Sequence, residues 1–209
     1  MKLHLFSAAS LVALTLASCG GGSTNESTTA ADSTASMESK EMGYVLDLAA
    51  SKLTWKGVMI GVKYHEGTMA FTEGKFMVKG GQLMSGTFAV DMRSMVPVDT
   101  NYNKDYTKEK LTGHLASADF FAVDSFPEAR FEVASVSGNT ATGKLTVRGR
   151  TNVETVTDIV ISEENGMANA SGKLVFNRQK YGVSWANPMK DMVLSDDIEI
   201  TVSLVGRAE

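Results

Sequence analysis

Side chains suited to acid–base or metal chemistry are few in this chain of 209 residues. Beyond the N-terminal segment the histidines are His65 and His114, which lie in different segments. Neither belongs to a His-x-x-x-His pair or a Glu-associated motif, and the chain has one cysteine. Gly-x-Ser-x-Gly and Gly-rich phosphate loops are also absent. Both histidines are therefore interpreted first as structural hydrogen-bonding residues.

Acidic pairs occur at Glu163-Glu164 and Asp196-Asp197, next to predicted turns or strand ends where solvated charge is ordinary. A catalytic site would have to be assembled from His114, Asp119 and Arg178, the remaining polar residues that could converge at a cavity mouth. The sequence thus favours a binding protein over an enzyme and predicts no metal site and no cofactor.

The N-terminal segment "MKLHLFSAASLVALTLASC" combines Lys2 with an apolar run of about twelve residues, where a membrane-spanning helix needs roughly 20. Residues 1–19 are therefore predicted to be a signal peptide. Their last four residues, Leu-Ala-Ser-Cys, resemble the bacterial lipobox, which implies acylation of Cys19 and attachment to a membrane. Residues 20–42, rich in Gly, Ser and Thr, predict a flexible tether with a reach of about 25 Å.

The composition from residue 43 onward is that of one globular domain, assigned to 43–209. Charged residues make up 21% of the chain and the net charge is -4, which gives no indication of nucleic-acid binding. The 12 Met, 9 Phe and 2 Trp supply apolar bulk. Methionine serves either as a core filler or as a surface for irregular apolar ligands, and composition leaves both open.

Short runs of alternating apolar residues between turn signals predict an antiparallel sheet. The clearest run is "DDIEITVSLVGR", in which Ile198, Ile200, Val202 and Leu204 share one face. Hairpins are predicted at 79–81, 137–139 and 164–166, the last on an Asn-Gly pair. Roughly eight to ten strands follow, a number typical of a sandwich or barrel: 44–49, 51–60, 66–72, 75–79, 82–93, 129–137, 141–149, 152–162, 167–177 and 196–206.

One helix is predicted over residues 102–118, with Asn101 or Asn103 as its cap and Tyr106, Leu111 and Leu115 on its apolar side. A single helix inserted among antiparallel strands indicates a cap over one end of the β structure.

The interior of an eight-stranded barrel is either filled by side chains or encloses one ligand. Ala168, Ala170 and Gly172 alternate before Leu174 and Phe176, and small residues facing inward would leave space on that strand.

Four segments in order carry a family resemblance: "YVLD", "KLTGHLASADFFAVDSFPEARFEV", "GKLTVRGRT" and "FNRQKYGV". With them, residues 43 to 206 resemble the YceI-like polyisoprenoid-binding family. The resemblance implies an all-β fold, an extended lipocalin-like antiparallel β-barrel of about eight strands with one short helix capping an end. The family-like positions are His114, Leu115, Ser117, Asp119, Phe120, Phe121, Phe126, Pro127, Phe131, Gly143, Leu145, Thr146, Gly149, Thr151, Arg178 and Gly182.

One position departs from the family pattern. Many members carry a His-Ser pair soon after the first Tyr-x-x-Asp, whereas this chain has Ala50-Ser51 there and a histidine only at His65. A head-group role of that early histidine therefore does not carry over.

The resemblance implies that the barrel interior binds, stores or transports a long isoprenoid lipid, either a quinone or a polyprenyl phosphate, without catalysis. The expected lining or rim is apolar, and at least one of Phe120, Phe121 and Phe126 should border the cavity. Predicted ligand contacts are Trp55, Phe88, Phe120, Phe121, Phe126, Phe131, Leu145 and Phe176, with His114, Asp119 and Arg178 as a polar rim.

The expected location is the periplasmic side of the bacterial envelope, with the chain anchored to a membrane through Cys19. Family members can dimerise, so a homodimer is possible. The alternative is an envelope or stress-related lipoprotein that binds another protein through the outside of a filled barrel.

Overall fold

The computed structural model describes residues 40–188 and 192–209. The predicted signal peptide, Cys19 and nearly all of the predicted tether lie outside the described residues. Residues Glu38–Glu209 form one compact unit that contains every strand and helix given below. The domain boundary near residue 43 stays a prediction.

Eleven strand segments, one α-helix and two short 3-10 turns make up the described residues. The predicted strand 66–72 crosses a break at Ala70, where one strand ends and the next begins. The elements are β1 (Glu41–Leu46), β2 (Lys52–Met59), β3 (Lys63–Met69), β4 (Phe71–Lys79), β5 (Gln82–Asp91), a 3-10 turn (Met92–Ser94), β6 (Val96–Pro97), α1 (Lys108–Ala116), β7 (Glu128–Ser137), β8 (Thr140–Val147), β9 (Arg150–Glu164), β10 (Met167–Asn177), a 3-10 turn (Arg178–Tyr181) and β11 (Leu194–Ala208).

Three pairs of these segments continue one another as long, interrupted strands. Both β1 and β2 pair with β11, through Tyr44↔Ala208 and Trp55↔Ile200. In the same way, β3 and β4 form one interrupted strand opposite another formed by β5 and β6, since β4 pairs with β5 and β3 pairs with β6. The three pairs are therefore β1 with β2, β3 with β4, and β5 with β6. The described chain is therefore an up-and-down meander of eight antiparallel strands, and β11 closes it against β1 and β2. This confirms the predicted eight-stranded barrel.

Hairpin turns close one end of the barrel at the three positions that the sequence predicts. In the β9–β10 turn both Asn165 and Gly166 have left-handed backbones, with φ of 51° and 74°. That conformation defines the type I′ hairpin for which Asn-Gly is the preferred pair.

Side chains fill the barrel at this end, which we call the closed end. The rings of Tyr44 and Phe76 stack with centroids 5.4 Å apart. Val78 and Ala168 are completely buried beside them in the same apolar cluster. The Tyr44 hydroxyl donates a 2.6 Å hydrogen bond to Glu163 Oε1. These contacts seal the interior at the closed end.

The opposite end carries the longer connections, including α1. The helix begins later than predicted because Thr107, rather than Asn101 or Asn103, caps it: the Thr107 Oγ1 accepts from Lys110 N. Asn103 instead accepts hydrogen bonds from the backbone of Asp105 and Tyr106, which forms a turn before the helix. The prediction of a single short helix over one end is confirmed for the described residues.

Candidate ligand cavity

A continuous cavity of about 740 Å³ occupies most of the barrel, well within the size range of small-molecule sites. Its lining reaches from Phe76 near the closed end to Lys63 at the other end of the same interrupted strand. At about 3.3 Å per residue these residues lie roughly 40 Å apart along the strand, or about 30 Å along the axis of a barrel with ordinary strand tilt. The cavity is therefore a long, narrow channel.

Alternation along the strands produces an almost wholly apolar wall. Ile198, Ile200, Val202 and Leu204 all line the cavity, as the period of two predicts. On the neighbouring strand β10 the inward positions include Ala170 and Gly172. Because these side chains are small or absent, the strand leaves open volume where larger residues would fill the barrel.

Eight apolar residues are predicted from the sequence to contact a ligand, and seven of them line the cavity. They include Phe120 and Phe121, so the Phe-rich segment does border the cavity. Their role in binding stays a prediction. Phe126 is different, since the turn that begins at Ala122 carries it outside the cavity, where its ring packs against Gly149. The seven are Trp55, Phe88, Phe120, Phe121, Phe131, Leu145 and Phe176.

The predicted polar rim does not assemble as expected. His114 lines the cavity, and its ring packs edge-on against Phe120 and Trp185 at centroid distances of 5.0 and 4.8 Å. Asp119 is exposed outside the cavity, because it follows the helix in a turn held by Ser117. Asp119 and Arg178 therefore do not join His114 at one site.

Arg178 is buried, with a side chain only 2% exposed, and it holds loops together. Its guanidinium donates to the carbonyl oxygens of Val183 at 2.7 Å, Trp185 at 2.9 Å and Ser195 at 3.0 Å. A further bond reaches Asp196 Oδ1 at 3.0 Å. Burial lowers the arginine pKa, opposed by the Asp196 charge. The family motif marked this residue correctly, but the partners of its guanidinium are three backbone carbonyls and the Asp196 carboxylate, so its role is structural.

The open end of the cavity, which we call the mouth, lies between the β2–β3 hairpin and the segment before α1. Met59, Lys63, Tyr106, Lys110 and Asn187 are among the residues that line it. Lys63 Nζ lies 5.6 Å from the centroid of the Tyr106 ring, and Lys110 Nζ donates to the carbonyl oxygen of Asp105. Charged and aromatic side chains thus appear at the mouth, where the apolar wall ends.

His65 stands at the mouth in a fixed orientation. Its Nδ1 lies 3.1 Å from Asp99 Oδ1, and its ring stacks on Tyr102 at a centroid distance of 5.1 Å. The same carboxylate accepts from the Tyr102 hydroxyl at 2.8 Å and from the backbone N–H groups of Glu66 and Asn101. Because Asp99 occupies Nδ1, Nε2 is the ring nitrogen left for a ligand.

Protonation in this cluster is governed by burial and by the shared carboxylate. Burial lowers the pKa of His65, and the Asp99 carboxylate opposes that effect. Burial by itself would raise the pKa of Asp99, but its hydrogen bonds from Asn101, Tyr102, Glu66 and His65 bring the net pKa below the ordinary value. A neutral His65 that donates from Nδ1 to an ionised Asp99 therefore presents Nε2 as a hydrogen-bond acceptor.

Two buried polar atoms of cavity-lining residues have no hydrogen-bond partner among the described residues: Trp55 Nε1 and His114 Nε2. An unsatisfied buried polar atom is costly, so a ligand group that reaches Trp55 Nε1, a donor, or His114 Nε2, whose role depends on the tautomer, would be stabilised there. Trp55 lies diagonally across from His65 on the paired strands, since Trp55 faces Gly67 and Gly57 faces His65. The cavity therefore offers polar contacts near its mouth and apolar contacts along its length.

Sequence reasoning did not find the His65–Asp99 pair. The two residues meet only because β6 pairs with β3 through Gly67↔Pro97 and Thr68↔Val96. A two-residue strand leaves no alternation to detect. Among the described residues no group of three or more His, Cys, Asp or Glu side chains is arranged to hold a metal ion. The helices within those residues are also too short or too polar to cross a bilayer.

Residues 44–206 match the family described as YceI-like domain, a span that runs from the first barrel strand almost to the end of the last. The chain belongs to the YceI-like family. The match includes the cavity-lining strands, α1 and the Arg178 loop, so the YceI-like domain and the barrel of this structure are the same unit.

Curated relatives include UPF0312 proteins of Staphylococcus aureus. The protein of strain bovine RF122 / ET3-1 is 34% identical over 122 residues, which cover 53% of this chain and 67% of the relative. The protein of strain N315 is 33% identical over 107 residues, covering 46% of this chain and 60% of the relative. The aligned stretch thus spans about two thirds of the length of these relatives or less.

Two solved structures share the YceI-like fold. Burkholderia cenocepacia BcnA superposes with a TM-score of 0.62 at 22% identity, covering 77% of this chain and 98% of BcnA. A polyisoprenoid binding domain from Saccharophagus degradans, implicated in plant cell wall breakdown, superposes with a TM-score of 0.53 at 13% identity. The second match covers 80% of this chain and 99% of that domain. At these identities the likeness establishes the barrel architecture.

Proposed function

We propose that this YceI-like barrel binds a long isoprenoid lipid, with the chain in the channel and the head group at the mouth. The observation that carries the proposal is the continuous apolar channel of about 740 Å³, sealed at one end and open at the other. Burial of apolar surface contributes about 25 cal/mol per Å², so enclosing several hundred Å² of hydrocarbon gives useful affinity with few polar contacts. The polyisoprenoid binding domain of the same fold supports this ligand class.

The head group belongs at the mouth because Tyr44, Phe76 and Val78 fill the closed end. There Trp55 Nε1 donates to a ligand oxygen, and His65 Nε2 accepts from a hydroxyl group. Lys63 and Lys110 line the same mouth and suit an anionic head group. A quinone would use its carbonyl oxygens to accept from Trp55, whereas a polyprenyl phosphate would also offer a P–OH to His65 and negative charge to the two lysines, and the binding experiment below separates the two classes.

The proposal also covers location. Cleavage before Cys19 and acylation of that cysteine would hold the barrel on a membrane at the periplasmic side of the cell envelope, through the segment 20–42. This location is supported by the sequence of residues 1–42. The alternative of a filled barrel requires side chains throughout the interior, whereas in the described residues they fill only the closed end.

The test uses the fragment Glu38–Glu209 purified from a bacterial host and extracted for mass spectrometry of prenyl lipids. The delipidated fragment is then titrated with an isoprenoid quinone or a polyprenyl phosphate, with quenching of Trp55 and Trp185 fluorescence and the melting temperature as readouts. We expect one of these lipids to copurify, and the same class to raise the melting temperature.

A matched pair of variants on β10 locates the bound chain. Ala170→Phe places a ring in the channel and should weaken binding strongly. Val175→Phe places the same ring on the exposed outer face of the strand and should leave binding unchanged. Absence of any bound or binding prenyl lipid, or equal binding by the Ala170→Phe variant, would show that the channel is not the site.

A further inference from the structure

Exposed apolar side chains cluster around the mouth, on the β2–β3 hairpin, the segment before α1 and the connection before β11. Ile60 is 57% exposed, Val62 48%, Val193 56% and Tyr106 58%. We call these four residues the mouth patch. Single exposed aliphatic residues are ordinary, but several that adjoin one another around a cavity entrance form an apolar patch of the kind that marks an interaction surface.

Contacts on both sides of the mouth make the patch continuous. Ile60 N donates a 2.8 Å hydrogen bond to the Val193 carbonyl, which joins the β2–β3 tip to the connection before β11. Lys63 follows Val62 and reaches over the Tyr106 ring. Because Lys63 and Tyr106 also line the cavity, the patch and the entrance to the channel are one surface.

Positive charge accompanies the patch on a chain that is acidic as a whole. The net charge of the chain is -4, but residues 59–64 and 102–111 together carry Lys63, Lys104, Lys108 and Lys110 against Asp105 and Glu109. Among the described residues, Lys63 and Lys110 form no salt bridge, and they lie instead against the Tyr106 ring and a backbone carbonyl. Their charges are therefore available to an anionic partner.

We propose that the mouth patch docks onto an anionic lipid bilayer, with Ile60 and Val62 inserted among the lipids and the lysines against the head groups. A few aliphatic side chains on one narrow tip are too small a surface for a stable protein interface, which buries about 1,200–2,000 Å². They suffice for a membrane, where apolar insertion and lysine–lipid attraction add together. Docking in this orientation opens the channel directly onto the source of its cargo.

This inference rests on the proposed function for its purpose but is measured separately from it. The fragment Glu38–Glu209 contains every strand of the closed barrel and lacks Cys19, so its binding reports the patch alone. The probes are vesicles of phosphatidylcholine with about 30% phosphatidylglycerol, and vesicles of phosphatidylcholine only, a composition chosen to exploit lysine attraction. Binding is measured by flotation.

We expect the fragment to bind the anionic vesicles and to bind the neutral vesicles more weakly. The double variant Ile60→Ser with Val62→Ser should lower the affinity about tenfold or more, since each change removes one inserted aliphatic group. The double variant Lys63→Gln with Lys110→Gln should lose the preference for anionic vesicles. The matched control is Val45→Ser with Val160→Ser, two exposed positions on the barrel wall nearer the closed end, which should bind like the unmodified fragment.

The proposal is overturned if the unmodified fragment fails to bind either vesicle, if the Ile60/Val62 variant binds as well as the unmodified fragment, or if the wall control loses as much affinity. Melting temperatures of all variants establish that they are folded. A failure of lipid uptake in the quenching titration contradicts the proposed function and leaves the flotation result standing, so the two ideas fail in different experiments.

Discussion

His65 and Asp99 are joined by a 3.1 Å contact between Nδ1 and Oδ1, although they lie on separate segments that meet only through a two-residue strand. The carboxylate fixes the ring, and the ring borders the cavity mouth. This pair therefore couples the protonation state of the mouth to the stability of the barrel.

Replacing His65 by Asn should flatten the dependence of stability on pH in mildly acidic solution. Burial lowers the pKa of His65 below its ordinary value of 6.5, so the unfolded chain takes up this proton before the folded chain does. The contribution of neutral His65 is complete above pH 6.5 and is lost as the pH falls through the folded pKa. Asn does not titrate and keeps a donor near Nδ1. Urea unfolding from about pH 7.5 to 5 measures the effect, and equal pH slopes for both proteins would contradict it.

Arg178→Lys should lower the free energy of unfolding by about 3–5 kcal/mol, because an ammonium group cannot replace the fork that reaches three carbonyls and Asp196. Urea unfolding measures the loss. Arg207→Lys is the control, since Arg207 is exposed and bonds only Asp47 among the described residues, and it should cost less than about 1 kcal/mol. Similar losses for the two variants would mean that Arg178 is not the structural tie described above.

Gly67→Ala should destabilise the barrel by about 1–3 kcal/mol and shift tryptophan fluorescence. The Trp55 ring lies directly over Gly67, so a β-carbon there would meet Trp55 Cζ2 at 2.5 Å and would crowd the carbonyl of Val96. Gly113→Ala is the matched change in open space on α1, with nothing within 4 Å of the added carbon. It should stabilise the protein by about 0.5–1 kcal/mol. The prediction fails if the two alanines have the same effect in denaturant titrations.

Tyr44→Phe should reduce the loss of stability in alkaline solution. The hydrogen bond to Glu163, together with burial, raises the pKa of Tyr44 from 10.0 to about 12. The stabilisation is intact below pH 10 and is lost as the pH rises toward 12, because the unfolded chain ionises first. Burial also raises the pKa values of Tyr102 and Tyr181, so part of the alkaline loss should persist. An unchanged profile of unfolding free energy from about pH 9 to 12 would rule out this role for Tyr44.

Much of the barrel was predictable because its signals are local. The alternation at Ile198, Ile200, Val202 and Leu204 depends only on the pleat of one strand. The Asn165-Gly166 turn depends on two backbone conformations that these residues adopt readily. The family segments supplied what local signals cannot, namely that the strands close into a barrel.

The parts that could not be predicted depend on contacts between distant segments. Arg178 is marked by its motif, but its carbonyl partners are identified only when Val183, Trp185 and Ser195 are placed around it. Phe126 shares a Phe-rich segment with Phe120 and Phe121, yet one turn carries its ring out of the cavity and against Gly149 in the β8–β9 turn. Composition records how apolar a segment is, whereas the turn decides whether a ring lines the cavity.

Both ends of the folded chain lie at the closed end of the barrel, since Glu41 pairs with Lys79 beside the β4–β5 turn and Tyr44 pairs with Ala208. The mouth is at the opposite end. A resin, a sensor chip or a fusion partner attached through either terminus is therefore kept a full strand length from the entrance to the channel. Immobilised in this way, the barrel presents its opening outward, free to meet a second surface.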